Sequence, residues 1–166
     1  MADLTFEQVD QLLAYDPATG VLTWKVAKAK RIKVGDVAGS PESGGYLQVR
    51  VHGKKYLAHR LAWLLSTCSW PSKHLDHING VRDDNRFSNL RECSPAENHQ
   101  NRGKRSDNSS GIPGVGWRKE KKKWQAYIKL NGKQIFLGYF DTIEEAAAAR
   151  AAAKARHHTF QKFDRE

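Results

Sequence analysis

Apolar positions along the 166-residue chain change period several times, and the changes mark out its elements. Phe6, Val9 and Leu13 recur at helical spacing behind a Thr5–Gln8 capping-box pair, which predicts a short helix from Thr5 to Leu13. Asp16-Pro17-Ala18-Thr19-Gly20 reads as a turn, and Val21-Leu22-Thr23-Trp24 as a strand. After a loop from Pro41 to Gly45, Leu47, Val49 and Val51 alternate with polar neighbours, a period-two strand. Gly53-Lys54 is expected to turn it into a hairpin with Lys55-Tyr56-Leu57. A helix from Ala58 to Ser66 follows, with Leu61, Leu64 and Leu65 as its apolar stripe.

From residue 74 the pattern is polar and rich in Asp and Asn. Leu75 to Ile78 is expected as a short strand, the segment to Ser88 as a loop, and Asn89-Leu90-Arg91 as the returning strand. Ser94 then caps a helix with Pro95 at its first position and Glu97 completing a capping box. Beyond the polar stretch 103–111, three strands are expected at 114–118, 124–130 and 133–140, the last two joined through Asn131-Gly132. Asp141 or Thr142 caps a long, alanine-rich helix running to His158.

Composition narrows the class. The chain holds 28 Lys+Arg against 18 Asp+Glu, a formal charge of +10. The excess is uneven, with 14 basic against 11 acidic residues over 1–103 and 14 against 7 over 104–166. A polyanion partner is the expectation. No stretch approaches the roughly 20 apolar residues of a membrane span, and the opening residues lack the order of a secretion signal. Two cysteines, Cys68 and Cys93, make no disulfide framework, so a cytoplasmic, reducing location is expected. With His74 and His77 they follow no familiar zinc spacing and leave Asp76 and Asn98 unexplained.

The strand–loop–strand–helix at 74–101 can gather Asp76 and His77 with Asn98. Carboxylate and amide oxygens suit a hard cation, and a neutral imidazole beside it can take a proton from water. Asp76-His77-Ile78-Asn79-Gly80, Asp84-Asn85-Arg86, Asn89-Leu90-Arg91 and Glu97-Asn98…Asn101 together resemble the HNH nuclease motif, the ββα-metal fold, in the version found in phage and intron-encoded homing endonucleases. The resemblance implies His77 as general base, Asp76 and Asn98 as ligands of Mg²⁺ or Mn²⁺, and Asn89 as the residue that pins the loop. Asn98 stands where many HNH enzymes have His. Arg82, Arg86 and Arg91 are candidates for phosphate contact. His59-Arg60-Leu61 resembles the helix that often precedes the motif in phage members, with His59 expected to pack or orient.

Gly114-Val115, Lys123-Trp124-Gln125-Ala126, Phe136 to Thr142 and Glu144-Glu145-Ala146-Ala147 resemble the plant ethylene-response-factor (APETALA) DNA-binding domain. The outer sheet face is expected to carry Arg118, Lys129, Gln134 and either Trp124 or Tyr127. Carried over by position, the DNA-facing residues are Arg118, Trp124, Lys129, Gln134 and Phe136. Trp117, Tyr139 and Phe140 are expected in the core. Gly116 replaces a contacting Arg of the plant domains, so base specificity is not inherited.

These readings converge on an α+β protein. An HNH nuclease domain with its hairpin-and-helix scaffold is expected over 1–102, a linker over 103–113, and a three-stranded sheet packed on one helix over 114–166. The expected function is metal-dependent phosphodiester hydrolysis in double-stranded DNA. A non-catalytic DNA-binding regulator and an RNA-directed protein are the alternatives from other classes.

Overall fold

The predicted capping box forms. The Thr5 hydroxyl accepts from the Gln8 N–H at 3.3 Å while Gln8 Oε1 accepts from the Thr5 N–H at 3.0 Å, and helix α1 (Phe6–Asp10) begins there. The computed structural model describes residues 4–28, 31–100, 108, 110–130, 132–158 and 160. In it α1 ends at Asp10, short of the expected Leu13. Leu13–Tyr15 is instead strand β1, paired antiparallel with β2 (Leu22–Trp24) in the register Leu13↔Trp24. A single helical turn is marginal on its own, whereas the 16–20 turn brings β2 back to satisfy the β1 backbone. Asp16 organises that turn: its Oδ1 accepts from Ala18 N at 2.9 Å, its Oδ2 from the Thr19 hydroxyl at 2.7 Å, and its carbonyl from Gly20 N at 2.8 Å.

A three-stranded sheet follows in the order β3 (Ser40–Pro41), β4 (Leu47–Val51), β5 (Lys54–Leu57). The β4–β5 turn lies at His52-Gly53, one residue before the expected position. Its two residues take φ +47° and +78°, the doubly positive geometry that matches the twist of a hairpin. Helix α2 (Ala58–Thr67) leaves β5 directly and stops at Cys68, φ +57°. Its buried face, Ala58, Leu61 and Leu64, closes on Val9, Leu13, Leu22, Trp24, Ala38, Val49 and Val51. At about 1.5–3 kcal/mol for each large side chain fully buried, this cluster is the main support of whatever α2 presents.

The strand pair predicted from the motif is present as β6 (His74–His77) and β7 (Leu90–Cys93), antiparallel with His77 opposite Leu90 and Asp76 opposite Arg91. A 3-10 turn, Phe87–Asn89, feeds β7. Helix α3 (Pro95–Gln100) starts with the expected box, Glu97 Oε2 accepting from the Ser94 N–H and hydroxyl, each at 2.7 Å. The chain divides into two compact units, Met1–Cys93 and Ser94–Glu166. Most of the expected linker, residues 103–107 and 109, lies outside the described residues, as does Asn101.

The second unit is the predicted antiparallel sheet, ordered β10 (Lys133–Phe140), β9 (Lys123–Leu130), β8 (Val115–Arg118), with helix α4 (Ile143–His157) against it. Asn131 of the expected hairpin turn lies outside the described residues. Thr142, of the two candidates, caps α4, in a box with Glu145. Val115, Ala126 and Ala146 form the core, with Trp124, Leu137 and Phe140 packed on it. Three expectations are corrected here. Trp117, opposite Trp124 on strand β8, is 46% exposed rather than in the core. Trp124 shares the core face with Ala126 rather than the outer face. Tyr139 leaves the core because a bulge between Phe136 and Gly138 adds a residue and reverses the alternation, setting Tyr139 opposite Gln125 on the outer face. The fold is α+β, and no helix among the described residues is long and apolar enough to cross a membrane.

Candidate active site

His77 ends β6, where the strand gives way to a turn closed by Gly80 N donating to the His77 carbonyl at 3.0 Å. Its ring is buried, and Nε2 lies 3.1 Å from Asn85 Oδ1. An amide oxygen only accepts, so this contact puts the proton on Nε2 and the lone pair of the neutral ring on Nδ1. Asn85 is 2% exposed, and it is held from the far side of the first unit. The Tyr15 hydroxyl donates to the Asn85 carbonyl at 2.8 Å, and Phe87 N donates to the Pro17 carbonyl at 3.1 Å. The Tyr15 phenol is pushed up to about 12, first by burial and then by Asp16. It therefore stays protonated and remains a donor.

Gly20 makes the same approach by backbone alone. Its φ is +78°, and a Cβ there would fall 2.5 Å from Arg86 N and 2.6 Å from the Asn85 carbonyl carbon. The N-terminal turn thus braces the motif loop at three points, and only glycine fits the third.

Asn89 closes the loop from the other end. Its Oδ1 accepts from Asn79 N at 3.0 Å, and its Nδ2 donates to Asn79 Oδ1 at 3.0 Å and to the Asp84 carbonyl at 2.8 Å. Asn79 Nδ2 in turn reaches Asp84 Oδ2 at 2.7 Å, where Arg86 Nη2 also arrives at 2.6 Å. The Arg86 guanidinium, with help from Asn79, holds the Asp84 carboxyl well below the usual carboxylate range. Asn89 thus ties Asn79 to the Asp84 backbone across the loop.

Asp76 precedes His77, so its side chain takes the opposite face of β6. Its Oδ2 accepts from Arg91 Nε at 3.2 Å and Nη2 at 3.0 Å, a cross-strand pair that compensates a nearly buried carboxylate. Arg91 is therefore engaged with Asp76, and Arg86 with Asp84. Arg82 donates to the Gly44 carbonyl at 2.6 Å and lies 5.2 Å from the centre of the Tyr46 ring. That ring is 5.9 Å from His77 and 5.3 Å from His59, and His59 meets His77 edge-on at 5.1 Å. His59 is 6% exposed, and its Nδ1 has no hydrogen-bond partner among the described residues. Burial, then the neighbouring His77 and Arg60, push it down to about 3, so it packs as a neutral ring.

Asn98, the second expected metal ligand, lies on α3 in the second unit, half-buried, its N–H donating to the Ser94 carbonyl at 2.9 Å. Among the described residues no three His, Cys, Asp or Glu side chains gather as a ligand set. In the first unit Asp76 offers carboxylate oxygen, a donor that suits Mg²⁺, which keeps several waters and takes remaining ligands from phosphate. In the second unit Lys129, Gln134 and Phe136 share the outer sheet face with Tyr127 and Tyr139, and Phe136 is 50% exposed. Arg118, on the same face, donates from Nε to Gln125 Oε1.

Asn85, the hydrogen-bond partner of the His77 ring, is not among the residues that the sequence singles out. It lies inside the quoted Asp84-Asn85-Arg86 run, but nothing in spacing distinguishes a His partner from a loop polar residue. Residues 56–100 match the family model described as HNH endonuclease. Protein 3.8 of Escherichia phage T7 is 31% identical over 90 residues, which cover 54% of this chain and 74% of that protein. No solved structure matches. The chain carries an HNH endonuclease domain over residues 56–100, and belongs to the family of the phage T7 protein.

Proposed function

We propose that the protein is a metal-dependent endonuclease that hydrolyses phosphodiester bonds in duplex DNA, with His77 as general base. The observation that carries this is the buried His77–Asn85 contact, which orients the ring and assigns its basic nitrogen. His77 Nδ1 takes a proton from water, and the resulting hydroxide attacks phosphorus. The bond to the 3′ oxygen breaks, leaving a 3′-hydroxyl and a 5′-phosphate. Asp76, with Asn98 from α3, would hold Mg²⁺. When bound, that ion neutralises the charge building on the phosphate and the departing oxygen. Asn89 and Asn85 keep the loop and ring in register with the scissile bond. Arg82, beside the Tyr46 ring, would meet phosphate near the same rings.

The second unit is proposed to dock the duplex through the outer face of its sheet, using Arg118, Lys129, Gln134 and Phe136. Arg and Gln suit base edges, and Lys suits phosphates. The test is conversion of supercoiled plasmid with Mg²⁺ or with EDTA, wild type beside His77→Ala. Open-circle product from wild type alone, and only with metal, is expected. Cleavage retained by His77→Ala removes His77 from the mechanism. A plasmid that is bound but never cut leaves the protein a DNA binder.

A further inference from the structure

The segment after β2 is the most cationic stretch of the first unit: Lys25, Lys28, Lys30, Arg31 and Lys33 fall within nine residues that contain no acid. It is tied to the β3–β4–β5 sheet by Lys28, whose Nζ donates to the Arg50 carbonyl at 3.1 Å and lies 4.4 Å from the centre of the Trp24 ring. Between segment and sheet runs an open groove of about 710 Å³, with Trp24, Ile32 and Val49 along its floor and Lys28, Arg31, Arg50 and His52 around it. His52 is set at one end by the left-handed backbone of the hairpin turn, uncommon for a residue with a side chain.

The charge of this groove is not cancelled. Arg31 and Arg50 have no carboxylate partner among the described residues. Asp36, which also lines it, turns Oδ2 back to accept from Lys33 N at 2.7 Å. None of these residues belongs to the His77 network. Their placement is not needed by the core either, since exposed arginines add nothing to apolar packing.

We infer that this groove anchors the phosphate backbone of duplex DNA, a binding surface in the first unit separate from the cleavage residues. The inference rests on the reading of DNA as substrate. Two arginines at the edge of an open groove suit successive phosphates, which position a duplex without reading its sequence. A single strand is the poorer occupant, because bases need an accessible aromatic face to stack on. The aromatic here, Trp24, is 6% exposed and has Lys28 beside its ring.

The test is anisotropy of a labelled duplex with the full chain, in EDTA so that nothing is cut, across a salt series. Arg31→Gln/Arg50→Gln is compared with Lys73→Gln/Lys122→Gln, which removes the same formal charge outside the groove and its cationic segment. Losing two phosphate contacts lowers the slope of log affinity against log salt by about 1.8, and weakens binding roughly 60-fold at 0.1 M salt. The control pair is expected to stay near wild type. Equal weakening in both pairs reduces the effect to net charge and overturns the inference. Wild-type affinity in the arginine pair overturns the groove alone, whereas a wild type that binds no duplex overturns the substrate reading with it. Loss confined to structured RNA also overturns it. Both arginines are exposed, and unchanged melting of the variant confirms that folding is not the cause.

Discussion

Gly20→Ala tests whether the N-terminal turn positions the cleavage residues. Two costs follow from the geometry. The left-handed backbone at φ +78° penalises any Cβ by about 1–2 kcal/mol. The new methyl also overlaps backbone, 2.5 Å from Arg86 N and 2.6 Å from the Asn85 carbonyl carbon, where ordinary contact starts near 3.4 Å. Relieving that overlap strains packed structure by about 1–3 kcal/mol. Gly53→Ala separates the two, because Gly53 has the same φ of +78° and nothing within 4 Å of its added Cβ. Urea unfolding followed by tryptophan fluorescence is expected to place Gly20→Ala about 1–3 kcal/mol below Gly53→Ala. The plasmid assay adds a second readout. The atoms pushed aside belong to Asn85, so His77 loses its orientation, and a displacement of order 1 Å lowers cleavage about 100-fold. Equal stability in the two variants, with wild-type cleavage by Gly20→Ala, would refute the bracing argument.

Two further predictions use the same network. Asn85→Ala removes the acceptor for His77 Nε2 and is expected to lower the cleavage rate by about 100-fold while duplex affinity in EDTA stays within a factor of two; an unchanged rate means the ring is oriented by something else. His59 is pushed down to about 3 from 6.5 in the fold, so the unfolded chain binds more protons between those values. Stability is therefore complete above pH 6.5 and lost as pH falls, by up to about 1.4 kcal/mol per unit. Urea midpoints at pH 5 to 7.5 are expected to fall toward acid in wild type and to be flatter in His59→Phe, and parallel curves would assign the dependence elsewhere.

Much of the site was readable because its signals are local. Three capping boxes, at Thr5, Ser94 and Thr142, form with the partners their spacing names, and the β6–β7 pair follows from short apolar runs around an Asp/Asn-rich loop. Asn89 bonds across that loop, to Asn79 and to the Asp84 carbonyl. What was not legible depends on partners distant in sequence. Leu13 fits both a 3.6 and a two-residue period, and only pairing with Trp24 decides for the strand. Asn85 becomes the His77 partner through Tyr15 and Gly20, some 65 to 70 positions earlier. The bulge between Phe136 and Gly138 leaves no mark in the sequence pattern, yet it sets Tyr139 opposite Gln125 on the outer face and Phe140 opposite Trp124 on the core face.

The brace between the 15–20 turn and the Asn85–Phe87 backbone bears on how such a gene can be rearranged. Residues 56–100 are what relatives share as a recognisable motif, yet the apolar face of α2 rests on Val9, Leu13, Leu22, Trp24, Val49 and Val51, all encoded earlier. A recombination joint at the motif boundary would transfer the reactive residues while leaving behind the surfaces that aim them. Joints before Phe6 and after Gln100 would instead move motif and brace as one heritable cassette. Exchange of the sheet and helix beyond residue 113, by contrast, leaves that brace whole, so the two segments can diversify at different rates along one reading frame.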